Sequence, residues 1–170
     1  NNPLNVIVYN FVDMLSHART DIQIIKELAS DESAYRSVVK SWFEHSSLLS
    51  IFKEIAARGG KVVIATDHGS IRVKEPSKIV GNKDVNANLR YKQGKSLDYN
   101  AKDVLAVKNP GDIYLPKVNV SQSFVFAKDD KFFAYPNNYN HYVKYYKDTF
   151  QHGGISLEEM LIPIVKLSPR

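Results

Sequence analysis

Five histidines, at positions 17, 45, 68, 141 and 152, and a complete lack of cysteine leave imidazole and carboxylate as the metal-binding side chains of this chain. Asp13 and His17 are four residues apart. On a helical turn that spacing puts both side chains on one face, about 5–6 Å apart at Cβ, so that one cation can be held by both; a surface pair has the same spacing. Asp67 and His68 are adjacent, follow the apolar run KVVIAT and precede Gly69. Neighbours in a straight strand point to opposite faces. The two can aim at one ion only where the strand has ended, and Gly69 permits the turn this requires. The C-terminal edge of a sheet is also where open α/β folds place ligands. An ordinary strand-end Asp beside an exposed His would read the same way. His152 precedes Gly153 and Gly154, which let backbone approach a ligand closely; the plainer reading is a turn before a helix. Zinc favours such N/O donors, and catalytic zinc sites keep one position open. Two ions about 3.5–4 Å apart can clamp a transferring phosphoryl group. His45 and His141 read as structural or surface residues.

The elements that must position these residues come from the rest of the chain. Its 170 residues suit one domain or most of a larger one, and 44% apolar with 24% charged residues is an ordinary globular balance. Disulfide scaffolds, thiolate zinc fingers, iron–sulfur clusters and cysteine nucleophiles are excluded. No apolar run reaches the ~20 residues of a membrane span, and the first residues lack a basic n-region and a small-residue cleavage site. A cytoplasmic protein without membrane insertion is expected. The chain begins without Met and runs straight into an apolar stretch, so a piece of a longer polypeptide is also expected. Charge is uneven. Residues 72–95 hold Arg72, Lys74, Lys78, Lys83, Arg90, Lys92 and Lys95 against Glu75 and Asp84, an excess equal to the +5 of the whole chain. Such a segment suggests a phosphate-bearing partner, although a solvated loop also carries charge runs.

Residues 4–9 (LNVIVY) read as a buried strand and the following NFVDMLSHART as a loop or short helical turn. Residues 21–29 carry a helical stripe with Asp21 as a candidate N-cap. Residues 32–57 read as further helix, with Ser46 or Ser47 as a start for its last segment and Gly59–Gly60 as its stop. Residues 61–66 predict a second buried strand, in the manner of a parallel α/β unit. Residues 69–118 read as an irregular excursion of loops and short strands. Residues 119–127 and 131–135 predict two strands joined by a turn. Residues 132–150 hold eight of the 19 aromatics; those from Tyr139 to Phe150 have helical spacing, and such a stripe is more often core than a base-stacking platform. Ser156 and Glu159 form a capping-box pattern before a final strand, MLIPIVKL, in which Pro163 suggests an edge or bulge.

The segments YNFVDMLSHAR, ATDHGSIRV and FQHGGISLEEMLIP, in this order, resemble the PglZ domain of the alkaline phosphatase superfamily, over essentially the whole chain. RYKQGK and YPNNYNHY add to the likeness, which is nearest to the C-terminal part of PorX-like response regulators of the type IX secretion and gliding machinery. The resemblance implies an α/β fold with a mixed, mainly parallel sheet flanked by helices. It implies two zinc ions per complete domain, one bound by Asp13, His17 and His152 and the other by Asp67 and His68. A further Asp and a Ser or Thr nucleophile of the superfamily pattern have no counterpart here. The chain therefore reads as the C-terminal portion of the domain, without the Thr nucleophile, the N-terminal part or the receiver domain, and the isolated fragment is expected to bind metal poorly and not to catalyse. The implied activity of the complete domain is phosphodiesterase hydrolysis of oligonucleotide-class substrates. Arg90, Lys92 and Lys95 are the candidate phosphate-binding residues; Arg can hold phosphate bidentately. The implied partners are a receiver domain in cis, a sensor kinase, a sigma factor and the secretion motor, with a homodimer on phosphorylation. Two other readings stay open: a signalling or interaction module whose metal only stabilises the fold, and a nucleic-acid-binding module using residues 72–95 and the late aromatics.

Overall fold

Helix-forming sequence fills the first third of the chain, and short β-rich segments fill most of the rest. A computed structural model describes residues 4–81, 86–116 and 121–169. The chain divides into two units, Asn1–Val63 with Lys166–Arg170, and Ile64–Val165. Lys83 and Asp84 of the basic segment, and the first two residues of the strand expected at 119–127, lie outside the described residues.

In the first unit the helices are α1 (Phe11–Asp21), α2 (Gln23–Leu28), α3 (Glu32–His45) and α4 (Ser47–Ala57). The segment read as a loop or short turn is thus three turns of helix, which puts Asp13 and His17 on one helical face. Asp21 ends α1 rather than capping α2, whose N-cap is Ile22. Asp31 caps α3 by accepting from the Ala34 amide at 2.8 Å, and α4 begins at Ser47 with Ser46 as N-cap, as expected. The orphan carbonyls after α2 are met by a buried guanidinium: Arg19 donates to the carbonyls of Ala29 and Ser30. Phe11 stacks on Trp42 at 4.2 Å, tying α1 to α3. Residues 4–9 correct the sequence reading. They form no strand, and their side chains are exposed, Val6 at 77%. A β-branched run becomes a strand only where a neighbour accepts its ladder.

The strand β1 (Val62–Ala65) forms where KVVIAT predicts it and pairs with β10 (Ile164–Leu167); the unit boundary falls inside both. Pro163 immediately precedes β10, where its missing N–H costs no ladder bond. The expected burial of β1 does not hold: Val63 is 65% exposed. A two-stranded ladder buries its side chains only where another layer packs on it.

The second unit is built from strands of two to six residues: β2 (Ile71–Arg72), β3 (Glu75–Val80), β4 (Tyr91–Gly94), β5 (Asp98–Tyr99), β6 (Val104–Val107), β7 (Ser123–Ala127), β8 (Lys131–Ala134) and β9 (Phe150–Gln151). In place of one mainly parallel sheet, the described strands form four small ones. β3 runs parallel to β8, whereas β2–β9, β3–β5, β4–β7 and β6–β7 are antiparallel. Residues 69–118 do consist of short strands and loops, but they also supply the core. Ile79 and Val104 pack with Val125, Ala127 and Phe133, while Ile71, Val73 and Phe132 form a second cluster that Leu89 and Tyr146 cover. Two helices complete the unit, α5 (Tyr139–Tyr146) and α6 (Leu157–Met160). Among the described residues, no helix is long and apolar enough to cross a membrane.

Candidate metal centre

The candidate ligands fall into two groups. On α1, His17 Nε2 lies 3.5 Å from Asp13 Oδ1, both side chains well exposed. The i, i+4 spacing does there what the sequence required of it.

The second group lies in the other unit. After β1 the chain turns, and His68 Nε2 comes within 3.8 Å of Asp67 Oδ1. The His152 ring stacks on the His68 ring, with centroids 3.9 Å apart and planes 11° from parallel. Residues 84 positions apart in sequence are thus face to face. His68 Nδ1 donates to the Gly69 carbonyl at 3.0 Å. A carbonyl can only accept, so Nδ1 carries a proton and Nε2, beside the Asp67 carboxylate, is the ring atom left for a ligand. Metal-binding imidazoles are commonly oriented by such a bond from the other ring nitrogen. The Thr66 hydroxyl donates to the His68 carbonyl at 2.9 Å and closes the turn.

Close backbone contact holds this turn to α6. The Gly69 amide donates to the Glu159 carbonyl at 2.8 Å. A Cβ on Gly69 would lie 2.0 Å from the Glu158 carbonyl oxygen, so hydrogen is the only side chain that fits. Gly153 has φ +97°, a conformation open to glycine. It sets the chain direction just after His152, whose carbonyl accepts from Asn88 Nδ2 at 3.1 Å.

Beneath lies a buried ion pair. Arg90 donates from Nε to Glu159 Oε1 at 3.0 Å and from Nη2 to Oε2 at 2.9 Å, with the two side chains 0% and 2% exposed. Its Nη1 donates to the Lys131 carbonyl. Glu159 also accepts from the amides of Gly154 and Ser156 at 2.9 and 3.1 Å, while the Ser156 hydroxyl accepts from the Glu159 amide. The capping box is present as its spacing predicted. Burial pushes the Glu159 carboxyl up, but the bonds and charge of Arg90, with the Gly154 and Ser156 donors, outweigh it and hold the group below the usual carboxylate range.

The basic residues expected to face phosphate divide. Arg90 is fully buried and committed to Glu159. Lys92 is 1% exposed; its Nζ donates to the Asn86 carbonyl at 2.8 Å and lies 4.8 Å from the Tyr135 ring centroid. A solvent-facing wall therefore does not hold at these two positions, because their side chains are spent on the interior. Lys95 alone of the three is exposed. Gly69 holds the turn as the sequence implies, whereas Asn88 and the Arg90–Glu159 pairing are positioning contacts that sequence reasoning missed; the capping box hinted at Glu159 alone. His45 bonds the Ser41 carbonyl at the end of α3, and His141 sits exposed on α5.

Burial lowers the Lys92 amine to a pKa of about 8. The unfolded chain keeps an ordinary value of about 10.4. Between about pH 8 and 10.4 the unfolded state therefore binds more protons, and stability rises with pH through that window. Lys92→Met is expected to stabilise the protein at pH 7 by about 1–3 kcal/mol and to flatten the rise. Urea denaturation of both proteins between these pH values checks this; a variant that loses stability at pH 7 contradicts it.

The family model for the BREX system PglZ alkaline phosphatase-like domain matches residues 1–167. No curated protein matches this chain.

Proposed function

Because the chain belongs to the PglZ family of alkaline phosphatase-like domains, we propose that it carries most of the metal cage of a zinc-dependent phosphodiesterase. Domains of this kind use metal ions, and the donor set here suits zinc. It offers imidazole nitrogens and carboxylate oxygens with no thiol, and the Nε2 of His68 is left as its donor atom. In this reading Asp13, His17 and His152 hold one ion, and Asp67 and His68 hold the other. When bound, the metal supplies Lewis acidity at a phosphoryl oxygen and makes a hydroxyl acidic enough to attack.

The remaining work belongs to the protein. Gly69, Gly153 and the Arg90–Glu159 pair support the two imidazoles, so that less side-chain freedom is lost when the donors engage. Lys95, exposed at the end of β4, is the candidate for holding substrate phosphate. The Thr nucleophile and the last carboxylate ligand come from a segment outside this chain. The substrate is a phosphodiester of the oligonucleotide class. The setting is a PorX-like cytoplasmic response regulator, with a receiver domain in cis and a sensor kinase, a sigma factor and the type IX secretion motor as partners.

The observation that carries the reading is the parallel contact of His68 with His152 beside Asp67. In the longer protein that contains the nucleophile, about two equivalents of zinc are expected, together with hydrolysis of a chromogenic phosphodiester. His152→Ala and Asp67→Ala are each expected to lose zinc and at least about 100-fold in rate. Full-length protein free of zinc defeats the proposal. Zinc bound without turnover of any phosphodiester favours a module whose metal is structural.

A further inference from the structure

The late aromatics do not all go inside. On α5, whose sequence is YNHYVKYY, Tyr146 packs onto the cluster of Ile71, Val73 and Phe132. Tyr142 and Tyr145 stay 39% and 36% exposed, and His141 is exposed beside them. The rings are ordered. His141 and Tyr145 lie 15° from parallel with centroids 6.1 Å apart, and Tyr142 and Tyr146 lie 13° from parallel at 6.0 Å. Tyr146, packed on the core, backs the Tyr142 ring, which leaves that ring less side-chain freedom to lose on contact.

The charge on the helix itself is positive, with Asp103 near Tyr139 and the Arg72-paired Asp148 just past its end as the neighbouring acids. No acid occurs in α5. Lys144 and Lys147 are exposed, and neither is ion-paired among the described residues. Lys78 on β3 reaches over the Tyr139 ring at 5.0 Å. Aromatic faces interleaved with cations are what an unpaired polynucleotide requires: bases to stack and phosphates to neutralise. A stacked strand advances about 3.4 Å per base, so rings about 6 Å apart approach the spacing of every second base.

We propose that the exposed surface of α5, with His141, Tyr142 and Tyr145, the flanking Lys144 and Lys147, and Lys78 against Tyr139, binds single-stranded nucleic acid. The face shares no residue with the proposed metal ligands. It extends the oligonucleotide-class reading above, but holding a strand does not require cutting it. The chain runs from this helix through a three-residue turn into β9 and then to His152.

The test is fluorescence anisotropy of labelled oligothymidylate of about 15 nucleotides, titrated with the full chain in EDTA so that metal plays no part. Binding is expected, with a log–log salt slope of about −2 between about 50 and 200 mM salt, from three lysine–phosphate contacts at about 0.7 each. Tyr142→Ala/Tyr145→Ala is expected to weaken binding about tenfold or more, and Lys144→Gln/Lys147→Gln to flatten the slope by about 1.4. Lys108→Gln, at an exposed lysine elsewhere, changes little. Circular dichroism checks that the tyrosine variants stay folded, and the single Tyr142→Ala variant serves if the double one does not. No binding at about 50 mM salt, or unchanged affinity in a folded tyrosine variant, overturns the proposal. Binding to phosphatidylserine vesicles but not to oligothymidylate overturns it in favour of a lipid surface. Loss of hydrolysis in the longer protein leaves this binding unaffected, which separates the two proposals.

Discussion

Glu159→Ala is expected to cost the protein about 3–5 kcal/mol, enough to lower the thermal midpoint by roughly 10 °C or more. The carboxylate accepts from Arg90 twice and from the Gly154 and Ser156 amides. Its removal strands a fully buried guanidinium and two backbone donors at once, and an uncompensated buried charge is among the costliest defects a core can hold. Replacing both partners, as in Arg90→Met/Glu159→Leu, leaves no such charge and is expected to recover most of the loss. Acid has the same target. The folded carboxyl titrates below its ordinary value of about 4.3. The stability it contributes is therefore complete above that value and is lost as pH falls below it through the lowered folded value. Denaturant midpoints of the wild type, both variants and a pH series down to about 3 check the whole argument. A single variant as stable as the wild type contradicts it.

Gly69→Ala is expected to do comparable damage by a purely steric route. The added methyl would sit 2.0 Å from the Glu158 carbonyl and 3.1 Å from its carbon. These are backbone atoms with no rotamer to yield, so the turn itself must back away from α6 and break the bond from the Gly69 amide to the Glu159 carbonyl. A loss of at least about 2–3 kcal/mol follows, and Asp67 and His68 move with the turn. Zinc titration and thermal melts of the variant measure both effects. Gly111→Ala, whose methyl would meet nothing within 4 Å, is the control. A Gly69→Ala protein that melts and binds zinc like the wild type would show that the contact is not tight.

Local signals in the sequence were reliable where the cause was local. The i, i+4 spacing of Asp13 and His17, the Ser46–Ser47 helix start, the Ser156–Glu159 box and the strand after Gly60 depend on a few neighbouring residues, and each is present in the fold. Burial was not legible, because it depends on what packs from elsewhere. Residues 4–9 and β1 have the composition of core strands yet lie exposed. Arg90 and Lys92 look like surface cations, yet they lie inside because Glu159 and the Asn86 carbonyl come to them from 69 and six residues away. The aromatic stripe failed in the opposite direction: helical spacing announces α5 but not which of its rings face water. The face-to-face placement of His68 and His152 was legible only through family likeness, since no spacing rule links residues so far apart.

The β2–β9 ladder has a bearing on how this domain tolerates change. Arg72 stands opposite Phe150, the Val73 amide donates to the Thr149 carbonyl at 3.0 Å, and the Asp148 amide donates back to the Val73 carbonyl at 2.7 Å. The polypeptide thus leaves and re-enters at a neck, much as an RNA arm closes on its stem, and Asn88 and Arg90 reach back across it to His152 and Glu159. An insertion at an exposed bend such as Pro136–Asn137 loads that neck mainly with ring-closure entropy, about 0.6 kcal/mol for each doubling of loop length. Variants can grow or shrink there while the imidazoles on the near side of the neck keep their places.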